Sequence, residues 1–149
     1  MKKTKRAKVK LQRYLADTSV IAQKRLVRLF KKKLQGEILI PNAVVAELEN
    51  LANKGQDVGF DGLEEIAKLH KLKPRVKIRF IGPRPSEHQI KYAKSGEIDA
   101  LIRDLARKNR ATLITADLVQ AKSALAYNIK VLFLKTRHKK KRKKFLFLR

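Results

Sequence analysis

Five short apolar runs, each separated from the next by segments of helical periodicity, restrict this chain to a small set of folds. The runs are residues 13–16, 37–40, 76–80, 112–115 and 130–134. Val20, Leu26, Val27, Leu29, Phe30 and Leu34 predict one amphipathic helix with Lys and Arg outward, and Gly36 is a stop signal. Pro41-Asn42 opens a second helix through Val44, Val45, Leu48 and Leu51. Residues 53–62, with three glycines, read as a loop. Asp61 and Glu64 have capping-box spacing for a helix through Ile66 and Leu69 that Pro74 ends. Ser86 with Gln89 predicts another cap, for a helix to about Lys94, and helices are also expected over 97–107 and 117–127. In the third run Val76, Ile78 and Phe80 alternate with Lys77 and Arg79, the pattern of a strand with one wet face near a sheet edge. Strands alternating with helices imply βαβ units, an α/β fold and a mostly parallel sheet. Such a sheet binds ligands just beyond the carboxyl ends of its strands.

With 149 residues the chain is expected to form one domain with a sizeable core. It contains no Cys, which excludes disulfides, thiolate zinc sites and cysteine nucleophiles. No apolar run approaches the roughly 18 residues of a membrane span, and the basic N-terminus has no apolar h-region. A cytoplasmic location with no membrane partner is the expectation. The formal net charge is +25, and its distribution is uneven. Residues 1–10 carry six bases and no acid, and residues 135–149 carry nine bases and no acid. The remaining 23 bases and all 13 acids lie in residues 11–134. The chain therefore divides into a basic arm (1–10), a globular body (11–134) and a basic tail (135–149). A polyphosphate is the natural complement, because neutralised phosphates release condensed counterions.

So few acids make their placement informative. Asp17 and Asp117 follow apolar strand runs. Glu47 lies three residues after Val44 and four before Leu51, and Asp99 three before Ile102, so both sit on apolar helical faces. Each has a local alternative: helix caps for Asp17 and Asp117, a lysine partner for Glu47, Arg103 for Asp99. Converging carboxylates repel unless one is protonated or a cation sits between them. Hard oxygen ligands suit Mg²⁺ or Mn²⁺. Glu97 falls in the first turn of its helix and is a second-tier candidate at the site's border. Glu49 and Glu65 have no comparable claim, and Asp104 is expected to pair with Lys108. His70 and His88 stand isolated, and residues 57–62 lack the alternating ligands of a calcium loop.

Over residues 13–134 the motifs resemble the PIN domain, a family of metal-dependent ribonucleases. The stations are Asp17-Thr18-Ser19, Ile40-Pro41 with Val45-Ala46-Glu47-Leu48, Gly96-Glu97-Ile98-Asp99-Ala100-Leu101-Ile102, and Thr115-Ala116-Asp117. The run 55–63 and the turn Gly82-Pro83-Arg84-Pro85 are similar to PIN domains at the front of PIN–ATPase proteins, although no phosphate-binding Gly-x-x-x-x-Gly-Lys loop is present. The resemblance implies a three-layer domain with a central, mostly parallel sheet of about five strands flanked by helices. It also implies a quartet of Asp17, Glu47, Asp99 and Asp117 holding one or two Mg²⁺ or Mn²⁺ ions, supported by Thr18, Ser19 and Thr115. The implied reaction is hydrolysis of RNA by water, leaving 5′-phosphate and 3′-hydroxyl ends. Dimers are common in the family, so a homodimer is a further expectation, though no interface signature is visible. Two other readings stand beside the nuclease: an RNA binder attached to ribosomes or RNA-processing machinery with little catalysis, and a toxin ribonuclease silenced by a partner.

Overall fold

Each apolar run becomes a strand of one parallel sheet in a computed structural model that describes residues 11–92 and 96–136. The strands are β1 (Arg13–Ala16), β2 (Gly36–Pro41), β3 (Val76–Ile81), β4 (Thr112–Thr115) and β5 (Val131–Phe133), in the spatial order β3-β2-β1-β4-β5. The register pairs Leu15 with Leu39 on one side and with Leu113 on the other. The interior strand β2 is buried throughout, as a strand covered on both faces must be. Edge strand β3 alternates as expected from Val76 to Arg79, with Lys77 and Arg79 exposed, but Phe80, expected on the covered face, is exposed as well.

Seven helices connect the strands among the described residues: α1 (Thr18–Ala22), α2 (Leu26–Lys32), α3 (Asn42–Asn53), α4 (Asp57–Leu69), α5 (Glu87–Tyr92), α6 (Glu97–Lys108) and α7 (Leu118–Ala126). Helices α1, α2 and α3 pack against α4, while α7 lies on β4 and β5. Leu15, Ile38, Leu39, Ile40, Leu113 and Ile114 form the sheet's share of a core completed by Val20, Ile21, Phe30, Val44, Leu48 and Ile102. The chain runs outward from β1 through β2 to β3, then crosses back to β4 and continues to β5. Strand order therefore reverses between β1 and β4, and the crevice of an open parallel sheet opens at that reversal.

Two local expectations are corrected. The helix predicted from Val20 to Leu34 is two helices, divided at Lys24, whose φ of 54° is left-handed. No Gly or Pro marks the break. Buried Glu65, reaching over from α4, accepts a hydrogen bond from the Val27 amide (2.8 Å) and satisfies the start of α2. Glu65 thus has a structural role that sequence reading did not give it. The second correction concerns residues 53–62: the loop is confined to 54–56, and α4 begins at Asp57. Gly59 and Gly62 are helical and face α3. A Cβ on Gly59 would collide with the Ala52 amide nitrogen and the Leu48 carbonyl, and one on Gly62 with the Leu48 methyls. Asp61 and Glu64 do not form a capping box; both pair with Lys24, at 3.1 and 3.6 Å. The Ser86–Gln89 box does form, with reciprocal bonds of 2.8 and 3.1 Å. Asp104 pairs with Lys108 at 2.9 Å as expected. Residues 1–10, the tail beyond Thr136 including Phe145-Leu146-Phe147-Leu148, and the expected helix end at Lys94 lie outside the described residues.

Candidate active site

Parallel strands β1 and β4 end side by side, and the next few residues of each build a single polar cluster. Thr115 closes β4 and donates from Oγ1 to Asp17 Oδ2 at 2.7 Å. The Thr18 amide donates to Asp17 Oδ1 at 2.9 Å, and Ser19 Oγ donates to Asp17 Oδ2 at 3.3 Å. Asp17 therefore caps α1 and is 3% exposed, a carboxylate wholly enclosed by its donors. Ser19 Oγ also accepts from the Ala116 amide at 2.9 Å, which locks the β4 exit to the start of α1. Thr18 Oγ1 donates to Glu47 Oε2 at 3.1 Å and brings half-buried Glu47 of α3 beside Asp17.

Asp117 lies two residues past β4. Its Oδ1 accepts the amides of Val119 (2.8 Å) and Gln120 (3.2 Å), making it the N-cap of α7. Among the described residues no hydrogen bond reaches its Oδ2. Asp99 sits in the first turn of α6, which the chain enters through Gly96 at φ 96°. Only a residue at ease in the left-handed region makes that turn without strain. Glu97 is exposed in the same turn and is not hydrogen-bonded to the other acids among the described residues.

Sequence reading missed Gln120, and named Arg103 only as a local partner of Asp99. Gln120 is buried, donates from Nε2 to the Asp99 carbonyl (3.1 Å) and accepts from Arg103 (2.7 Å), tying α7 to the beginning of α6. The only signal for Gln120 was its place three residues after Asp117, and its partners on α6 were not legible. His70 lies against the Phe80 ring, away from this cluster.

The acids sense one another. Burial pushes the Asp17 carboxyl up to about 6, aided by the Asp99 charge and opposed by the hydrogen bonds from Thr115, Thr18 and Ser19. Burial likewise pushes Glu47 up to about 7, against the Thr18 bond and with repulsion from Asp17 and Asp99. Asp99 is raised by burial and then by Asp117, with Arg103 pulling the other way. Donor chemistry and concentrated negative charge fit a hard dication. The positions are not those of an assembled coordination sphere: among the described residues no three Asp, Glu or His side chains stand where they could hold a metal ion. The oxygens of Asp17, one oxygen of Glu47 and one of Asp117 are turned instead to hydroxyl and amide donors.

A stability test follows from these shifts. Asp17 and Glu47 titrate higher in the folded protein than at their ordinary 3.8 and 4.5. The folded state therefore binds more protons than the unfolded state, and stability falls as pH rises from about 4 through 7. In EDTA, the stability of wild type relative to Asp17→Asn should increase by about 1–2 kcal/mol on going from pH 8 to pH 5. Urea melts of both proteins at the two pH values measure this. A difference independent of pH would mean that Asp17 carries no such burden.

The sequence matches the PIN domain family over residues 14–124. It is 41% identical over 122 residues to an uncharacterized KH and PIN-domain containing protein of Methanocaldococcus jannaschii, covering 79% of this chain and 19% of that protein. The chain thus spans about a fifth of that curated relative. Among solved structures, a domain of a functionally unknown protein from M. jannaschii is similar at a TM-score of 0.79 and 39% identity, over 84% of this chain and 92% of that one. Fold, motif order and these similarities agree: the chain belongs to the PIN domain family, whose members are generally metal-dependent nucleases.

Proposed function

We propose that this protein is a divalent-cation-dependent ribonuclease that hydrolyses RNA phosphodiester bonds. The observation that carries the reading is the hydrogen-bonded convergence of Asp17 with Glu47 through Thr18, and of Asp17 with Asp117 through Thr115, where strand order reverses. Asp99 is close enough to raise Asp17 and Glu47, in a protein otherwise strongly basic. Asp17, Glu47, Asp99 and Asp117 would hold Mg²⁺ or Mn²⁺, and Thr18, Ser19 and Thr115 would fix the first two acids. Bound there, the dication supplies Lewis acidity to the phosphate and lowers the cost of forming hydroxide from water. Asp117 Oδ2, free of the amides that occupy Oδ1, is the atom suited to take a proton from the attacking water. Glu97 borders the site without entering the network. Water as nucleophile leaves 5′-phosphate and 3′-hydroxyl ends. RNA as substrate is supported by the KH module that the M. jannaschii relative's name records, since KH modules clamp RNA backbone.

The carboxylates' engagement with hydroxyls and amides favours a second reading, an RNA-binding protein with little or no catalysis. Incubating the full chain with single-stranded RNA in Mn²⁺, Mg²⁺ or EDTA separates them. Dication-dependent fragments with 5′-phosphates are expected, and EDTA should suppress them. RNA retained intact in every condition would leave only the binder.

A further inference from the structure

A cavity of about 850 Å³ lies along the end of α1 and along α2, and its wall is cationic. Lys24, Arg25, Arg28, Lys32 and Lys33 line it, with Asp61 as the acid. Their charges are not equally available. Lys24 is committed to Asp61 and Glu64, and Arg25 donates to the Leu134 and Lys135 carbonyls at 3.2 and 2.8 Å. Arg28, Lys32 and Lys33 are exposed and form no ion pair among the described residues. Arg28 and Lys32, four residues apart, share one face of α2, where like charges repel, and Lys33 is the helix's C-cap.

The cavity is wired to the acids. Thr136 lines it and donates to the Ala116 carbonyl at 3.1 Å, next to Asp117. Helix α1 starts at the Asp17 cap and ends at Ala22 on the cavity wall. Five helical residues rise roughly 7–8 Å, a separation within a few nucleotides of one strand. We propose that this cavity binds the phosphodiester backbone of single-stranded RNA flanking the cleavage point, with Arg28, Lys32 and Lys33 as the phosphate contacts. The assignment rests on the RNA-binding part of the function proposed above.

The test uses the full chain, a 20-nucleotide single-stranded RNA and EDTA, with affinity measured by anisotropy across a salt series. Replacing Arg28, Lys32 and Lys33 together by Ala should flatten the slope of log affinity against log salt by about 2, from roughly 0.7 per lost phosphate contact. At moderate salt the affinity should fall roughly 10- to 100-fold. Replacing exposed Lys71, Lys77 and Lys130 by Ala removes equal charge elsewhere and should change the slope by less than half as much. Arg28→Lys with Lys32→Arg and Lys33→Arg should keep the wild-type slope, and unchanged thermal midpoints verify folding. Equal losses in the cavity and control variants, or none in the cavity variant, would overturn the assignment. Cleavage plays no part in the readout. A slope loss without nuclease activity sinks the hydrolase and keeps the cavity; an unaltered slope with intact cleavage does the reverse.

Discussion

Asp17→Asn is expected to lower dication-dependent RNA cleavage by about 10³-fold while leaving RNA affinity within a few-fold of wild type. Asp17 is the most enclosed of the four acids and the one whose charge is felt at Glu47. Asparagine keeps the shape and can still accept the Thr18 amide, so the cap on α1 survives. What disappears is one unit of negative charge from a site proposed to attract a dication. Losing several kcal/mol of electrostatic stabilisation corresponds to two or three powers of ten in rate. The phosphate contacts assigned to Arg28, Lys32 and Lys33 lie elsewhere and should be untouched. Thr115→Val should fall between wild type and Asp17→Asn, at about 10- to 100-fold, because it removes the 2.7 Å bond that orients Asp17 rather than the acid itself. Single-turnover cleavage in Mn²⁺ with parallel binding in EDTA makes the measurement. An Asp17→Asn protein as active as wild type would remove this residue from the mechanism.

Gly59→Ala is expected to destabilise the fold by about 2–3 kcal/mol, although alanine is the better helix former by about 1 kcal/mol. The added methyl points at the Ala52 amide nitrogen and the Leu48 carbonyl, backbone atoms of α3 that cannot rotate away. Helices α3 and α4 would have to separate along their whole crossing. Gly62→Ala should cost less, since its obstacle is the end of the Leu48 side chain, which can turn. Urea midpoints rank the two variants. A stabilised Gly59→Ala would show that the helices do not approach as closely as described.

That glycine pair also marks the limit of what the sequence discloses. The five strands, their parallel sense and the exposed edge at β3 were legible, because period-2 and fully apolar runs report burial directly. The placement of Asp17 and Asp117 at strand ends was legible for the same reason, and so was the Ser86–Gln89 box. Glycines are ambiguous: the property that permits a turn also permits two helices to touch, and only the partner helix decides. The division between α1 and α2 left no trace, because a charged lysine occupies the left-handed position and a glutamate 38 positions later meets the Val27 amide. Gln120 was invisible likewise. Its partners, Asp99 and Arg103, lie across the chain rather than along it. The acids stood out as a set by their cost in an apolar setting, while the hydroxyl and amide donors that hold Asp17, Glu47 and Asp117 were assigned only in outline.

Arg25, at the start of α2, and Thr136 pin the last described residues after β5 to the α1–α2 junction and to the β4 exit, so the described chain ends within a short reach of Asp117. The next thirteen positions include eight Lys and Arg. The anchor fixes where that positive charge joins the body, and the proposed RNA ligand would be drawn toward the end of the sheet that carries the acids.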